Sequence, residues 1–192
     1  MIVNIGDGPF QARGHTPQPN GELLVDGQIK NSDGSWTTYS VPQYQMYFAG
    51  DGHTHWHVRQ IEKYVLRDTA TEVKGVGVKA GYCFFDNATF KLSMPGAPQS
   101  PVYTGCGDTG DTEVTTGLSI GWGDAYPWKI PDQYIDITGL PNGQYSLTAT
   151  ADPLGGFTER CEGNNATTAV LQITGQNVTV VNQGKPSKRC AG

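Results

Sequence analysis

Three of the chain's four histidines lie within five residues, at the alternate positions His53, His55 and His57. Trp56 and Val58, which are interleaved with and follow them, favour a β-strand over a loop. Alternate side chains leave the same face of a strand, so the three imidazoles are predicted to project together. Their Cα atoms would span about 13 Å on a straight strand. Strand twist and the length of the imidazole arms could bring the three nitrogens onto one ion.

The chemistry of this run predicts a metal centre. Neutral imidazole suits copper, zinc, nickel or iron, and copper or zinc is preferred because the run contains neither a thiolate nor a carboxylate. A histidine-lined surface strand or an adventitious metal site is the alternative. A strand that ran on unbroken would place Arg59 and Lys63 on the histidine face, where two cations beside a metal ion are unfavourable. We therefore predict a bulge or bend after His57.

The elements that position this run are predicted to be β-strands joined by turns. Of 192 residues, 26 are glycine and only 16% are charged, and Thr, Val and Tyr are frequent. No segment shows an apolar stripe with a 3.6-residue period. The main strand candidates are residues 22–29, 36–48, 75–85, 117–122, 133–138, 144–149, 169–174 and 177–181.

Roughly eight to ten short strands without helices favour an all-β fold, a single-domain β-sandwich over residues 1–192 with long loops on one rim. Pro42 interrupts residues 36–48 and suggests edge strands there. A Pro-Asn-Gly turn at residues 141–143 predicts a hairpin of its two flanking strands. The fourth histidine, His15, lies in a Gly/Pro-rich opening stretch and is expected to be solvated.

Charge and hydropathy exclude several classes of partner. The net charge is -5 and the pI is near 5.2, with no basic cluster beyond the short tail Lys185–Arg189. Nucleic acid and anionic membranes are therefore unfavourable partners, whereas a cationic, amine-bearing substrate is compatible. No apolar run is long enough to span a bilayer.

The four cysteines are widely spaced and form no C-x-x-C pair, which favours disulfides and a secreted, extracellular location. Proximity along the chain favours Cys83–Cys106 with Cys161–Cys190 among the three connectivities. Four buried thiols in a cytosolic protein are the alternative.

Lys79 and Tyr126 stand in settings that suggest chemistry but allow ordinary roles. Lys79 lies in an apolar strand candidate, where a lysine either snorkels to solvent or is held in a semi-apolar site for a purpose. Tyr126 lies in an aromatic-rich turn, where it could simply pack on Trp128.

The order of these pieces, from about Ala49 to Asn165, resembles the catalytic domain of the lysyl oxidase family of copper-dependent amine oxidases. The matching segments are the H-x-H-x-H run at residues 53–57, the cofactor-lysine segment Lys79–Asp86, the cofactor-tyrosine segment Gly121–Tyr126, Gln133–Ile137, and a late E…NN element formed by Glu159 with Asn164 and Asn165.

The resemblance implies copper on the histidine run and a lysine tyrosylquinone cofactor made from Lys79 and Tyr126. Copper and O₂ would oxidise Tyr126 to an ortho-quinone, and a neutral Lys79 amine would add to the ring. The quinone would act on small primary amines or lysine-containing peptides and proteins, releasing an aldehyde, ammonia and hydrogen peroxide. Asp124, two residues before Tyr126, is the candidate base for the substrate's α-proton.

Departures from the family pattern are also implied. Ala49 and Gly50 stand where some members carry a tryptophan and an extra histidine. In some members Glu159 and the asparagine pair belong to a calcium site that also uses an aspartate. Cys161 occupies that aspartate's place, which argues against calcium without excluding it.

Two other functions stay open on the residues alone. The chain could be a secreted β-sandwich binding or adhesion module whose histidines hold zinc or copper without turnover. It could also be a hydrolytic zinc enzyme with Asp51 as the carboxylate base, although that interpretation leaves Lys79 and Tyr126 unexplained.

Overall fold

A computed structural model describes residues 1–50, 54–127 and 134–184. Apart from one short 3₁₀ turn at Glu162–Asn164, the regular structure in these ranges is β. The strands, in chain order, are Ile2–Val3 (β1), Phe10–Pro17 (β2), Leu23–Lys30 (β3), Trp36–Phe48 (β4), Trp56–Arg67 (β5), Val73–Tyr82 (β6), Ala88–Thr89 (β7), Val114–Leu118 (β8), Trp122–Asp124 (β9), Gly143–Ala151 (β10), Ala166–Thr174 (β11) and Asn177–Gln183 (β12).

The strand pairs whose register is defined in these ranges run antiparallel. The predicted all-β fold class is therefore confirmed. Within the described residues, no helix has the length and apolar character needed to cross a membrane.

The chain divides into two compact units. The first unit comprises Met1–Arg59, Gly81–Lys129 and Gly156–Thr158. The second unit comprises Gln60–Ala80, Ile130–Gly155 and Glu159–Gly192. That residues 1–192 form one catalytic domain stays a prediction.

In the first unit, β2 pairs with both β3 and β8, β3 pairs with β4, and the end of β4 pairs with the start of β5. A separate three-stranded sheet has the order β1–β9–β7. Aromatic rings fill the core of this unit: Phe10 packs edge-on against Phe84 and Phe157, with centroids 4.8 and 5.0 Å apart. Burial of this apolar area is the main force that holds the strands together.

Two expectations for this unit are corrected. The predicted edge strands within residues 36–48 are one continuous strand, β4, which pairs with β3 and, at its end, with β5. Pro42 is tolerated because the β3–β4 register shifts between Leu24 and Asp26, so the proline faces no ladder partner there. His15 is not in a solvated loop, because it lies on β2 with its Nε2 atom 3.0 Å from the Asp26 carboxylate on β3.

In the second unit, β10 pairs on one side with the end of β5 and on the other with β11, which also pairs with β12. The predicted β11–β12 pair is thus confirmed, but the hairpin predicted before β10 is wrong. Both edges of β10 are occupied, and residues 134–138 are not a strand. Ile135 and Ile137 instead pack on the core formed by Leu66, Tyr145 and Ile173.

Candidate active site

The backbone around His55 and His57 is fixed by its neighbours in the first unit. β5 begins at Trp56, so His57 lies in the strand and His55 immediately before it. The Trp56 N–H donates to the Cys106 carbonyl at 2.9 Å, and the Ala49 N–H donates to the His55 carbonyl at 3.0 Å. The two imidazoles are therefore carried by backbone that is hydrogen-bonded on both sides.

The two described imidazoles of the run converge. The Nε2 atoms of His55 and His57 are 2.9 Å apart, and the ring centroids are 4.7 Å apart. Two imidazole nitrogens bound to one ion at right angles, each about 2.0–2.1 Å from it, would be separated by about 2.9 Å. His57 is 2% exposed, whereas His55 is half-buried. This pair fits two adjacent ligand positions of a square-planar copper ion better than the wider angle of tetrahedral zinc. His53, the predicted third ligand, lies outside the described residues.

The predicted bend after His57 is present in β5. Gln60 has a φ of 54°, and the two successive residues Arg59 and Gln60 are both exposed, which a regular strand with one buried face would not show. Arg59, which precedes this bend, donates through Nε to Glu22 at 3.0 Å. Its charge is therefore paired with a carboxylate.

Tyr47 lies behind His57, on the opposing strand β4, and pairs with it in register. Its hydroxyl oxygen is 3.5 Å from His57 Nδ1, and the Arg59 guanidinium lies 4.3 Å from the centre of its ring. Gly81 makes this packing feasible, because a Cβ there would come within 2.4 Å of the Tyr47 hydroxyl and 2.7 Å of His57 Nδ1. Tyr47 could not be assigned to the site from the sequence, since only the register of β4 against β5 brings it to the histidine.

Tyr126, the predicted cofactor tyrosine, is half-buried in the first unit. Its hydroxyl accepts a hydrogen bond from the Cys83 N–H at 3.1 Å, and its ring lies 4.8 Å from that of Tyr82. Tyr82 is itself anchored, since its hydroxyl accepts from the Ile2 N–H at 3.0 Å and donates to the Asp124 carbonyl at 2.5 Å. The phenol of Tyr126 is thus held against the end of β6 by a backbone donor and a buried ring.

Asp124, the predicted base, is fully buried on β9. Its carboxylate accepts a hydrogen bond from the Asn87 side-chain N–H, and the side-chain oxygen (Oδ1) of Asn87 accepts from the Ala125 N–H at 2.8 Å. Asn87 therefore clamps the start of the segment that leads to Tyr126. Its role was missed because Asn87 lies far from Asp124 in sequence.

Lys79, the predicted cofactor lysine, lies on β6 in the second unit and is 4% exposed. The snorkelling alternative is therefore wrong, and the interpretation as a lysine held in a buried site remains. The packing alternative for Tyr126 involves Trp128, which lies outside the described residues.

The predicted Cys83–Cys106 disulfide is confirmed. Cys161 is also disulfide-bonded, but Cys190 lies outside the described residues, so its predicted pairing stays a prediction. A pocket of about 350 Å³ opens beside the first disulfide. Its walls are formed by Thr54, His55, Cys83, Phe85, Thr104, Gly105, Cys106, Gly107 and Asp108. One imidazole of the candidate metal site thus faces a space large enough for a small substrate group.

The loop that forms much of this pocket is held by a buried carboxylate that the sequence analysis missed. Asp86, 5% exposed, accepts hydrogen bonds from the Val102 and Tyr103 N–H groups at 2.8 and 3.2 Å. It also accepts from the N–H and hydroxyl of Ser119, at 2.8 and 2.7 Å. Burial and the Asp86 charge together raise the pKa of Tyr103 to about 12. Four donors to one carboxylate make Asp86 the anchor of this loop.

A second candidate metal site lies in the second unit. Ligand oxygens of Asp152, Glu159 and Glu162 lie within 4.8 Å of one another. Partial burial, and then repulsion from Glu162, raise the pKa of Glu159 to about 7. Glu159 also accepts a hydrogen bond from the Asn165 amide at 3.0 Å. The side-chain amide oxygen (Oδ1) of Asn164 is buried and has no hydrogen-bond partner among the described residues.

The donor set of this acidic cluster suits a hard cation. Carboxylate and amide oxygens are the ligands that calcium prefers. Asp152 and Glu162 supply carboxylates close to Glu159, and so provide negative charge that Cys161 cannot. Asp152 was missed in the sequence because it reaches the cluster through a turn in which its φ is 46°.

Comparison with known proteins gives one family. Residues 19–183, most of the chain, match the family model described as lysyl oxidase. No curated protein matches the chain.

Proposed function

Because the chain belongs to the lysyl oxidase family, we propose that it is a secreted, copper-dependent amine oxidase acting on peptidyl lysine or small primary amines. One primary amine, one O₂ and one water would give one aldehyde, one ammonia and one hydrogen peroxide. The observation that carries the proposal is the 2.9 Å separation of the His55 and His57 Nε2 atoms. Two imidazole ligands at right angles on a square-planar copper ion would have this separation, and without an ion the same distance lets the two rings share a hydrogen bond.

Copper would be held by His53, His55 and His57. Bound there, it would supply the redox chemistry with O₂ that converts a tyrosine of the chain to a quinone. The protein itself has to hold the imidazoles in position and to offset the charge of nearby cations. The buried strand position of His57 supports the first, and the pairing of Arg59 with Glu22 supports the second.

Lys79 and Tyr126 are the proposed precursors of lysine tyrosylquinone, which would supply the electrophilic carbonyl that reacts with the substrate amine. The Cys83 N–H holds the phenol oxygen of Tyr126 and so limits rotation of the ring. Burial of Lys79 keeps its amine out of bulk water, where it would be solvated rather than available to add to a ring.

Asp124 is the proposed proton acceptor for the substrate's α-carbon. Its carboxylate is shielded from water and oriented by the Asn87 amide. A base that is fixed and dry needs no reorganisation when it takes a proton, which favours the transfer. An Asp124→Asn variant should therefore form its quinone and turn over slowly.

We further propose calcium as a structural ion at Asp152, Glu159 and Glu162, with Asn164 as an amide ligand. The buried Asn164 oxygen without a hydrogen-bond partner supports it, since a cation would satisfy that oxygen. Calcium would add no chemistry to amine oxidation and would act by neutralising the cluster.

The test is copper loading of the purified apoprotein in the presence of O₂. We expect amine-dependent peroxide release, reaction of a protein quinone with phenylhydrazine, and a crosslinked Lys79–Tyr126 peptide by mass spectrometry. Lys79→Ala should abolish all three without changing copper content, whereas Lys63→Ala, an exposed lysine on β5, should change none. Peroxide release by the Lys79→Ala variant would rule out the quinone. Copper binding by the wild type without any peroxide would instead indicate a metal-binding module.

A further inference from the structure

Hydrogen bonds link the Cys83–Cys106 disulfide both to the Tyr126 phenol and to the strand that carries His55 and His57. On one side, the Cys83 N–H donates to the Tyr126 hydroxyl at 3.1 Å. On the other side, the Cys106 carbonyl accepts from the N–H of Trp56 at 2.9 Å. Trp56 is the residue between His55 and His57. One covalent bond therefore joins the backbone group that holds the phenol to the backbone group that holds the imidazoles.

We propose that this disulfide is a positioning device that sets Tyr126 relative to the histidine strand, so that quinone formation requires it while metal binding does not. The expected loss of quinone rests on the proposed function. The hydrogen bonds and the disulfide that link Tyr126 to the histidine strand are independent of that function and involve only contacts of the first unit.

Metal binding should survive loss of the disulfide because the histidines are also fixed from the side of β4. The Ala49 N–H donates to the His55 carbonyl at 3.0 Å, and Tyr47 pairs in register with His57. The indole N–H of Trp56 donates to the Asp108 carbonyl at 3.0 Å, and this hydrogen bond does not involve the disulfide. The imidazole pair therefore has supports that do not depend on Cys106.

The Tyr126 side depends on the disulfide more directly. Cys83 follows the last residue of β6, so its N–H lies where regular pairing of the strand has ended. The two sulfurs are buried, each cysteine being 2% exposed, and tie this strand end to the loop that Asp86 anchors. A reacting group misplaced by about 1 Å can lose about 100-fold in rate, so small relaxation here should suppress oxidation of the phenol.

The main experiment compares wild type with Cys83→Ser/Cys106→Ser. The control replaces the other two cysteines, Cys161 and Cys190, by serine. Each protein is loaded with copper under O₂ at a temperature where circular dichroism shows it to be folded. Bound copper and phenylhydrazine-reactive quinone are then measured in the same sample. We expect copper affinity within about threefold of wild type but at least a tenfold lower quinone-to-copper ratio, with the control unchanged.

Amide hydrogen exchange in the metal-free protein tests the geometry without any cofactor. Exchange at residues 83 and 56 should accelerate together in the double serine variant. Tyr126→Phe, which removes the acceptor, should accelerate exchange at residue 83 alone. A purely stabilising disulfide would raise exchange throughout the unit instead, and that result would overturn the proposal.

The outcomes separate the two ideas. A wild-type quinone-to-copper ratio in the double variant would overturn the positioning role and leave the oxidase intact. Absence of quinone in the wild type would reject the proposed function, and exchange at residues 83 and 56 would then decide the positioning role alone. If the double variant does not fold, the same copper loading is done on folded wild-type apoprotein whose disulfide has been reduced, alkylated and freed of reagent. An unchanged ratio there would likewise overturn the inference.

Discussion

The two candidate metal sites of this chain differ in the charge of the groups that would bind the ion. In the first unit, His55 and His57 offer imidazole nitrogens, which bind a metal ion as uncharged donors, and the two Nε2 atoms already lie 2.9 Å apart. In the second unit, three carboxylates crowd within 4.8 Å, and the pKa of Glu159 rises to about 7 through partial burial and then the charge of Glu162. A site of neutral donors can be preformed by the fold, whereas a site of like charges needs a proton or a cation to hold it together.

The same contrast predicts which ion each region takes. Imidazole is a borderline donor that favours copper and zinc, while carboxylate and amide oxygens favour calcium. The surroundings agree with this division. The Tyr47 ring packs on His57, and His55 lines a pocket beside the Cys83–Cys106 disulfide, whereas Glu162 in the acidic cluster is exposed to water. Each of the following variants should therefore disturb one region and leave the other unaffected.

The largest effect is expected from His55→Ala. Removing one of two converging imidazoles deletes a direct ligand, so copper affinity should fall by more than about 100-fold, beyond the range typical of groups that only support a ligand. His15→Ala is the matched control, because His15 lies on β2 with its Nε2 atom 3.0 Å from the Asp26 carboxylate on β3. Competition with a chromophoric chelator measures the affinity. Less than a threefold loss in His55→Ala would show that the 2.9 Å pair is not a metal site.

The next effect concerns pH and the acidic cluster. Glu159 has a raised pKa, so the folded state retains a proton that the unfolded chain releases between about pH 4.5 and 7. Its contribution to stability is fully present below about pH 4.5 and is lost as the pH rises through 7. We expect the wild-type melting temperature to fall by about 2–4 °C across this window, and Glu159→Gln to remove that part of the slope.

At pH 8, calcium should restore the thermal stability that deprotonation of Glu159 removes. At pH 5 it should raise the melting temperature only slightly, because the proton on Glu159 competes with it. Glu72→Gln is the control, since this exposed glutamate of the second unit pairs with Lys74 rather than with the cluster. A wild-type melting temperature that does not respond to calcium at pH 8 would exclude the structural ion. Copper affinity should be the same in both variants.

Much of the histidine region could be predicted because its information is local. The alternation of His55, Trp56 and His57 fixes which side chains share a face, and the irregularity predicted after His57 is found at Gln60. Cys83–Cys106 followed from the short separation of its cysteines along the chain. In each case the deciding interaction lies within a few residues or one loop.

The parts that failed or were missed depend on long-range pairing. The hairpin before β10 was wrong because β10 already has β5 and β11 as neighbours, and no local pattern contains that fact. Asp152 could not be assigned to the acidic cluster because a turn brings it there from another segment. Asn87 and Asp124 meet only because β7 pairs with β9.

The smallest effect on copper affinity is expected at Tyr47, which lies beside the buried imidazole of His57. Tyr47 faces His57 Nδ1 with its hydroxyl at 3.5 Å, the long end of the hydrogen-bond range, and its ring packs edge-on against the imidazole. Tyr47→Phe keeps the ring and removes the oxygen, so copper affinity should fall by at most about tenfold, with a changed copper electron paramagnetic resonance spectrum. Tyr39→Phe, on the same strand, loses a hydroxyl that accepts the Thr158 N–H at 2.8 Å and serves as the control. If Tyr47→Phe left both affinity and spectrum unchanged, the imidazole would be oriented by packing alone, and the neutral site would need no polar support at all.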